Sequence, residues 1–226
     1  MKIRLITLTT ILLFIFAACE YDNFDEPKSV LTGRVVYNGV PVGVRTNGTQ
    51  LELWQSGFQL FEKIPVYIAQ DGTFSAVLFD GNYKLVRLSG APWENQTDTI
   101  NVQVKGNTVI DVDVKPYFTV SNASYSKSGN TLTANFQVSK ISENAQLDNV
   151  KVYLGKSVLT DQNKSEASVD VDLSEYVPVT GNVNMTQAIE IPSSLAGYPY
   201  IFARVGVKSS QSNEYYYTQV EKIELK

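Results

Sequence analysis

Trp93-Glu94-Asn95 is the triplet in this chain best suited to holding a sugar. An indole face packs against the apolar face of a pyranose, and a carboxylate and an amide beside it reach the ring hydroxyls. The triplet follows the loop-forming Gly90-Ala91-Pro92 and runs on into Gln96, so aromatic and polar groups are expected together on one loop. The competing reading is a tryptophan that caps a sandwich end or docks two domains together. Trp54 is the second candidate. Within Leu51-Glu52-Leu53-Trp54-Gln55 the leucines share one face, which sends Glu52 and Trp54 to the other and turns the ring outward. Tyr215-Tyr216-Tyr217 must place at least one ring on the face opposite the other two, and Tyr216 joins the candidates as an exposed ring on that ground. These tyrosines would serve equally well to cover a sheet edge or an interdomain seam.

Other chemistry is thinner. The sequence has no histidine, which removes the usual general base near neutral pH and the commonest ligand of zinc, copper and haem. With a single cysteine, neither a Cys–His nucleophile, a Cys/His metal site nor an internal disulfide can form. Carboxylate pairs remain. Asp111 with Asp113, and Asp170 with Asp172, stand two residues apart, about 7 Å on a strand and inside the roughly 5–9.5 Å that glycosidases use. Both pairs alternate with valines, as ordinary solvent faces do. No Asp-x-Asp-x-Asp-Gly calcium loop exists, and turn chemistry accounts for Asp71-Gly72 and Asp80-Gly81. The expectation is a protein without enzymatic activity, cofactor or metal. Asp98-Thr99-Ile100 resembles the short O-glycosylation signal of Bacteroidetes, which makes Thr99 a candidate glycan carrier.

At the amino terminus, Lys2 and Arg4 precede an apolar run from Ile6 to Phe16, and Phe16-Ala17-Ala18-Cys19 supplies a small-residue cleavage site. The run is shorter than the ~20 residues of a spanning helix, and acidic residues follow it. The segment resembles a lipobox, with Phe16 where leucine is commoner, as in Bacteroidetes. That resemblance implies removal of residues 1–18 as a signal peptide, acylation of Cys19 and a lipid anchor in a membrane. Residues 19–29 carry Glu20-Tyr21-Asp22-Asn23-Phe24-Asp25-Glu26, which is similar to the export signal that sends Bacteroidetes lipoproteins to the outer face of the outer membrane. The same acidic run makes a solvated tether, since about ten residues reach at most ~35 Å. Loss of Lys2 and Arg4 takes the net charge from −4 to −6. With no basic patch, an acidic chain repels a phosphate backbone, and nucleic acid is excluded as a partner.

From Val30 onward, short alternating or β-branched segments are punctuated by turn dipeptides such as Asn38-Gly39 and Asn47-Gly48. Strands are expected at residues 30–37, 50–55, 66–69, 73–78, 82–88, 99–104 and 108–114, and then at 117–125, 131–138, 150–154, 167–171, 185–191, 200–208 and 214–225. Helix is limited to single turns at 172–176 and 193–196. Lys115-Pro116 interrupts the pattern, because proline cannot donate to a ladder. The chain is therefore read as all-β, with one β-sandwich over 30–115 and an immunoglobulin-like one over 116–226. Tyr200-Ile201-Phe202-Ala203-Arg204-Val205 resembles the penultimate strand of fibronectin type III domains.

Gly33-Arg34-Val35, Pro41-Val42, Asp71-Gly72-Thr73-Phe74 and Asp80-Gly81-Asn82-Tyr83-Lys84-Leu85 resemble prealbumin-like, carboxypeptidase-regulatory-type domains. Phe79-Asp80-Gly81-Asn82-Tyr83-Lys84 together with Ser89-Gly90-Ala91-Pro92-Trp93 is similar to a family of two-domain Bacteroidetes surface lipoproteins known only as a domain of unknown function. Membership implies a place beside outer-membrane glycan-uptake systems of the starch-utilisation type. The expected role is a non-catalytic glycan-binding or accessory component, with an oligosaccharide or polysaccharide and outer-membrane transporter components as partners. The alternative is a structural or protein-interaction module that assembles with a transporter without binding sugar.

Overall fold

The structure, a computed structural model, describes residues 25–57 and 62–226. The signal peptide expected over 1–18 and the acylation expected at Cys19 lie outside the described residues. The first half folds into eight strands: β1 Ser29–Tyr37, β2 Val40–Pro41, β3 Gln50–Gln55, β4 Lys63–Tyr67, β5 Thr73–Leu78, β6 Gly81–Arg87, β7 Ile100–Val104 and β8 Asn107–Asp113. They make two facing sheets. In one, β1 is flanked by antiparallel β5 and parallel β8, with β2 folded back on its end through the Asn38-Gly39 turn, where both residues take positive φ. The other runs β4-β3-β6-β7, antiparallel throughout. Leu31, Val35, Leu51, Leu53, Leu85 and Val112 are fully buried between them. Gly33 is required for this packing, because a Cβ there would lie 1.8 Å from the carbonyl oxygen of Ile110 on β8.

The second half contains β9 Phe118–Ser128, β10 Thr131–Lys140, β11 Leu147–Gly155, β12 Ala167–Asp170, β13 Asn182–Glu190, the one-turn helix α1 Ser193–Ala196, β14 Tyr200–Ser209, β15 Tyr216–Tyr217 and β16 Glu221–Glu224. One sheet is β13-β10-β9; the other is β12-β11-β14, with β15 and β16 both pairing β14. Leu132, Val138, Val150, Val152, Ala203 and Val205 fill the space between. The protein is thus all-β, in two tandem sandwiches.

Among the differences from the sequence expectation, two strands show a local cause. The continuous strand expected over 214–225 is split into β15 and β16. The other sandwich causes the break, for the Tyr217 amide donates to the Gly43 carbonyl at 2.9 Å while the Thr218 amide turns back to Val205 at 2.9 Å. Strand β4 begins at Lys63, earlier than the expected Val66, because an edge strand tolerates Pro65. The parallel β1–β8 pairing has no signature in either strand, since alternation reports burial and not the partner.

Candidate functional site

Alternation along β3 points Leu51 and Leu53 into the core and Gln50, Glu52 and Trp54 to the outer face of the β4-β3-β6-β7 sheet. Trp54 is half-buried in a cross-strand row, with Lys63 opposite it on β4, Lys84 on β6 and Asn101 beyond on β7. The neighbouring row pairs Asn82 with Gln103. Trp54, Ser56, Asn82, Lys84, Asn101 and Gln103 line a cavity of about 470 Å³ over this face. Each amide offers donors and an acceptor, the lysine only donors and the serine hydroxyl both. An aromatic wall is thereby ringed by hydrogen-bonding groups projecting from strands. Beside it, Glu52 is buried to 7% exposure and accepts a hydrogen bond from Lys63 Nζ at 2.8 Å.

The seam between the sandwiches is built differently. Arg204 is 0% exposed; its Nε donates to the Thr218 carbonyl and its Nη2 to the Gln70 carbonyl, each at 2.8 Å. The guanidinium lies 4.4 Å from the centre of the Tyr217 ring, and burial pushes its pKa down to about 10. Tyr217 packs with Tyr153 and Tyr215, ring centres 5.9 and 5.7 Å away. Arg45 grips Glu214 with both nitrogens of its fork, Nε to Oε2 at 3.0 Å and Nη2 to Oε1. The Gly90 carbonyl accepts from the Asn213 amide and the Ser212 hydroxyl, both at 3.2 Å.

Profiles of two domains of unknown function match the chain: the DUF3823 N-terminal domain over residues 29–115 and the DUF3823_C domain over 118–222. The chain belongs to the DUF3823 family. A DUF3823 protein of Bacteroides ovatus is 47% identical, with a TM-score of 0.81 over 88% of this chain and 100% of that one. One from Parabacteroides merdae is 33% identical, with a TM-score of 0.80 over the same shares. A protein of Bacteroides uniformis described as a "putative carbohydrate binding protein" shares the fold at 19% identity, TM-score 0.72, again over 88% and 100%. No curated protein matches the chain. The resemblance to a two-domain Bacteroidetes family of unknown function is therefore borne out.

Within this DUF3823 fold the sequence candidates separate. Trp93 is not presented to solvent; it is 1% exposed and forms an isolated β-bridge with Pro116, where the chain passes from one sandwich to the next. Its indole face cannot be reached by a sugar. Glu94 is engaged at the same crossing: its amide donates to the Lys115 carbonyl at 2.8 Å and its carboxylate pairs with Lys115 Nζ at 2.9 Å. Hydrogen bonds from Ser142 and Lys115 hold that carboxyl below the usual range. Asn95 and Thr99 are exposed on the loop before β7. Tyr216 is not the exposed ring expected of the tyrosine triplet. It is 7% exposed and packs into the main core, while Tyr215 and Tyr217, at 7% and 1%, are buried on the opposite side because the seam covers that face.

The carboxylate pairs are also accounted for. Asp111 is clamped by Arg34, whose hydrogen bonds hold its carboxyl below the usual range; Asp170 accepts from Asn149 at 2.6 Å, and Asp172 caps the Ser174 amide at 3.0 Å. No group of three or more carboxylates suited to a metal ion occurs among the described residues. Of the candidates, Trp54 lines the cavity over the β4-β3-β6-β7 face, and Asp111 lines a broader one of about 870 Å³ on the other sheet, where Arg34 already occupies its carboxylate. Around Trp54, Asn82, Lys84, Asn101 and Gln103 form no binding motif in the sequence. Their signal is alternation with buried Tyr83, Leu85, Val102 and Val104, which marks them as one outward face.

Proposed function

We propose that this protein is a non-catalytic, lipid-anchored component of a glycan-uptake apparatus on the outer membrane, and that it holds carbohydrate on the sheet face around Trp54. The observation that carries the reading is the cavity in which one indole is ringed by Asn82, Lys84, Asn101, Gln103 and Ser56. An uncharged sugar asks for a flat apolar wall with fixed donors and acceptors. The "putative carbohydrate binding protein" of Bacteroides uniformis, which has the same fold, supports this class of ligand. A lipid at Cys19 would hold the site near a transporter, so that a weak sugar affinity gains from high effective concentration. A second reading, assembly with a transporter, is favoured by the outer face of the opposite sheet, where Val77 and Val109 are 60% and 73% exposed.

Affinity electrophoresis through gels containing starch, xylan, galactomannan or pectin tests the site. Retardation in at least one gel, abolished by Trp54→Ala and kept by Val109→Ala, is the expected result. Migration unaffected by every gel would contradict carbohydrate binding and favour the assembly reading. Fractionation tests the anchor: Cys19→Ala should move the protein out of the membrane fraction, and its retention there would rule out a lipid at that sulfur.

A further inference from the structure

Gln50 lies on the same outward face of β3 as Trp54, four residues away, which at about 3.3 Å per residue is ~13 Å along the strand. There the face meets the second sandwich. Gln50, Leu88, Ser89 and Gly90 from the first sandwich, with Asn213 and Glu214 from the second, line another cavity of about 300 Å³. Thr49 also borders it, 4% exposed, and its buried Oγ1 has no hydrogen-bond partner within the protein. Between the two cavities the face carries Val86, directly opposite Glu52 on the neighbouring strand, and the Glu52–Lys63 ion pair. The seam fixes the far cavity, since Arg45 pins Glu214 and the Gly90 carbonyl holds Ser212 and the Asn213 amide.

We infer that the ligand is an internal stretch of an extended polysaccharide chain, lying along β3 from Trp54 to the seam, with Gln50 and Asn213 bonding the sugars at its far end. This inference rests on the carbohydrate reading of the Trp54 face. One cavity alone suits a terminal sugar; two cavities set along one sheet face suit a chain. It also gives the second sandwich a role in binding, as one side of the track at its far end. Because strands and seam are rigid, a chain in an extended conformation meets both ends without reordering the protein.

Calorimetric titration of the full chain with di-, tetra- and hexasaccharides cut from the polysaccharide that retards it most tests the inference. Affinity should rise from the disaccharide to the hexasaccharide. The double variant Gln50→Ala, Asn213→Ala should bind the hexasaccharide about fivefold to tenfold more weakly, as loss of one or two hydrogen bonds predicts, and the disaccharide as the native chain does. Trp54→Ala should weaken both. Equal affinity at every length, or a double variant that binds the hexasaccharide normally while Trp54→Ala does not, would overturn the extended track and leave the Trp54 site standing. Normal binding by all the variants would overturn both.

Discussion

The seam and the Trp54 face hold similar side chains and use them in opposite ways. At the seam, cations, carboxylates and tyrosines answer one another: Arg45 meets Glu214, and Arg204 meets the Thr218 and Gln70 carbonyls and the Tyr217 ring. On the Trp54 face, Asn82, Lys84, Asn101 and Gln103 are exposed around a half-buried indole. Polar groups turned inward on their own chain fix the relative placement of two domains, whereas those left outward on rigid strands are available to something else. The difference distinguishes a structural cluster from a candidate binding site better than composition does.

That contrast can be broken at the seam with the largest effect. A Cβ at Gly43 would lie 2.3 Å from the Tyr217 carbonyl oxygen and 3.0 Å from Arg204 Nη2, and the Tyr217 backbone with the buried Arg204 leaves little room to yield. Gly43→Val should cost about 2–3 kcal/mol in denaturant unfolding and enlarge the particle in small-angle scattering as the sandwiches part. A native unfolding midpoint and radius in that variant would show that the seam does not lock the domains. The smallest expected effect lies on the other side of the comparison. Trp54→Ala, expected to lose carbohydrate, should change stability by under ~1 kcal/mol, as at a partly exposed position outside the core.

Much of the fold was legible in the sequence, because alternation and turn dipeptides report burial directly. Leu51 and Leu53 are buried as their spacing requires, and Asn38-Gly39 makes the tight turn its residues favour. The outward placement of Trp54 followed from the same rule. What the sequence could not show was contact between distant segments. Trp93 sits in a loop of turn-forming residues and reads as exposed, yet Pro116 and the start of the second sandwich cover it. Tyr215 and Tyr217 alternate with Tyr216 as a half-exposed strand would, but Gly43 and Arg204 close over Tyr217, and Tyr215 packs against Tyr153 and Tyr217. Both differences arose at the seam, where burial depends on contacts between segments apart in the chain, Pro116 with Trp93 and Gly43 with Tyr217.

The two tryptophans of the chain allow the account to be tested directly by fluorescence. Trp93→Phe leaves Trp54 as the only indole, and Trp54→Phe leaves only Trp93. Titrated with the polysaccharide that retards the native protein most, the Trp54-only chain should show a saturable blue shift and protection from acrylamide quenching. The Trp93-only chain should show neither. A response from Trp93 alone, or silence from Trp54 while native binding persists, would contradict a carbohydrate site on the β3 face.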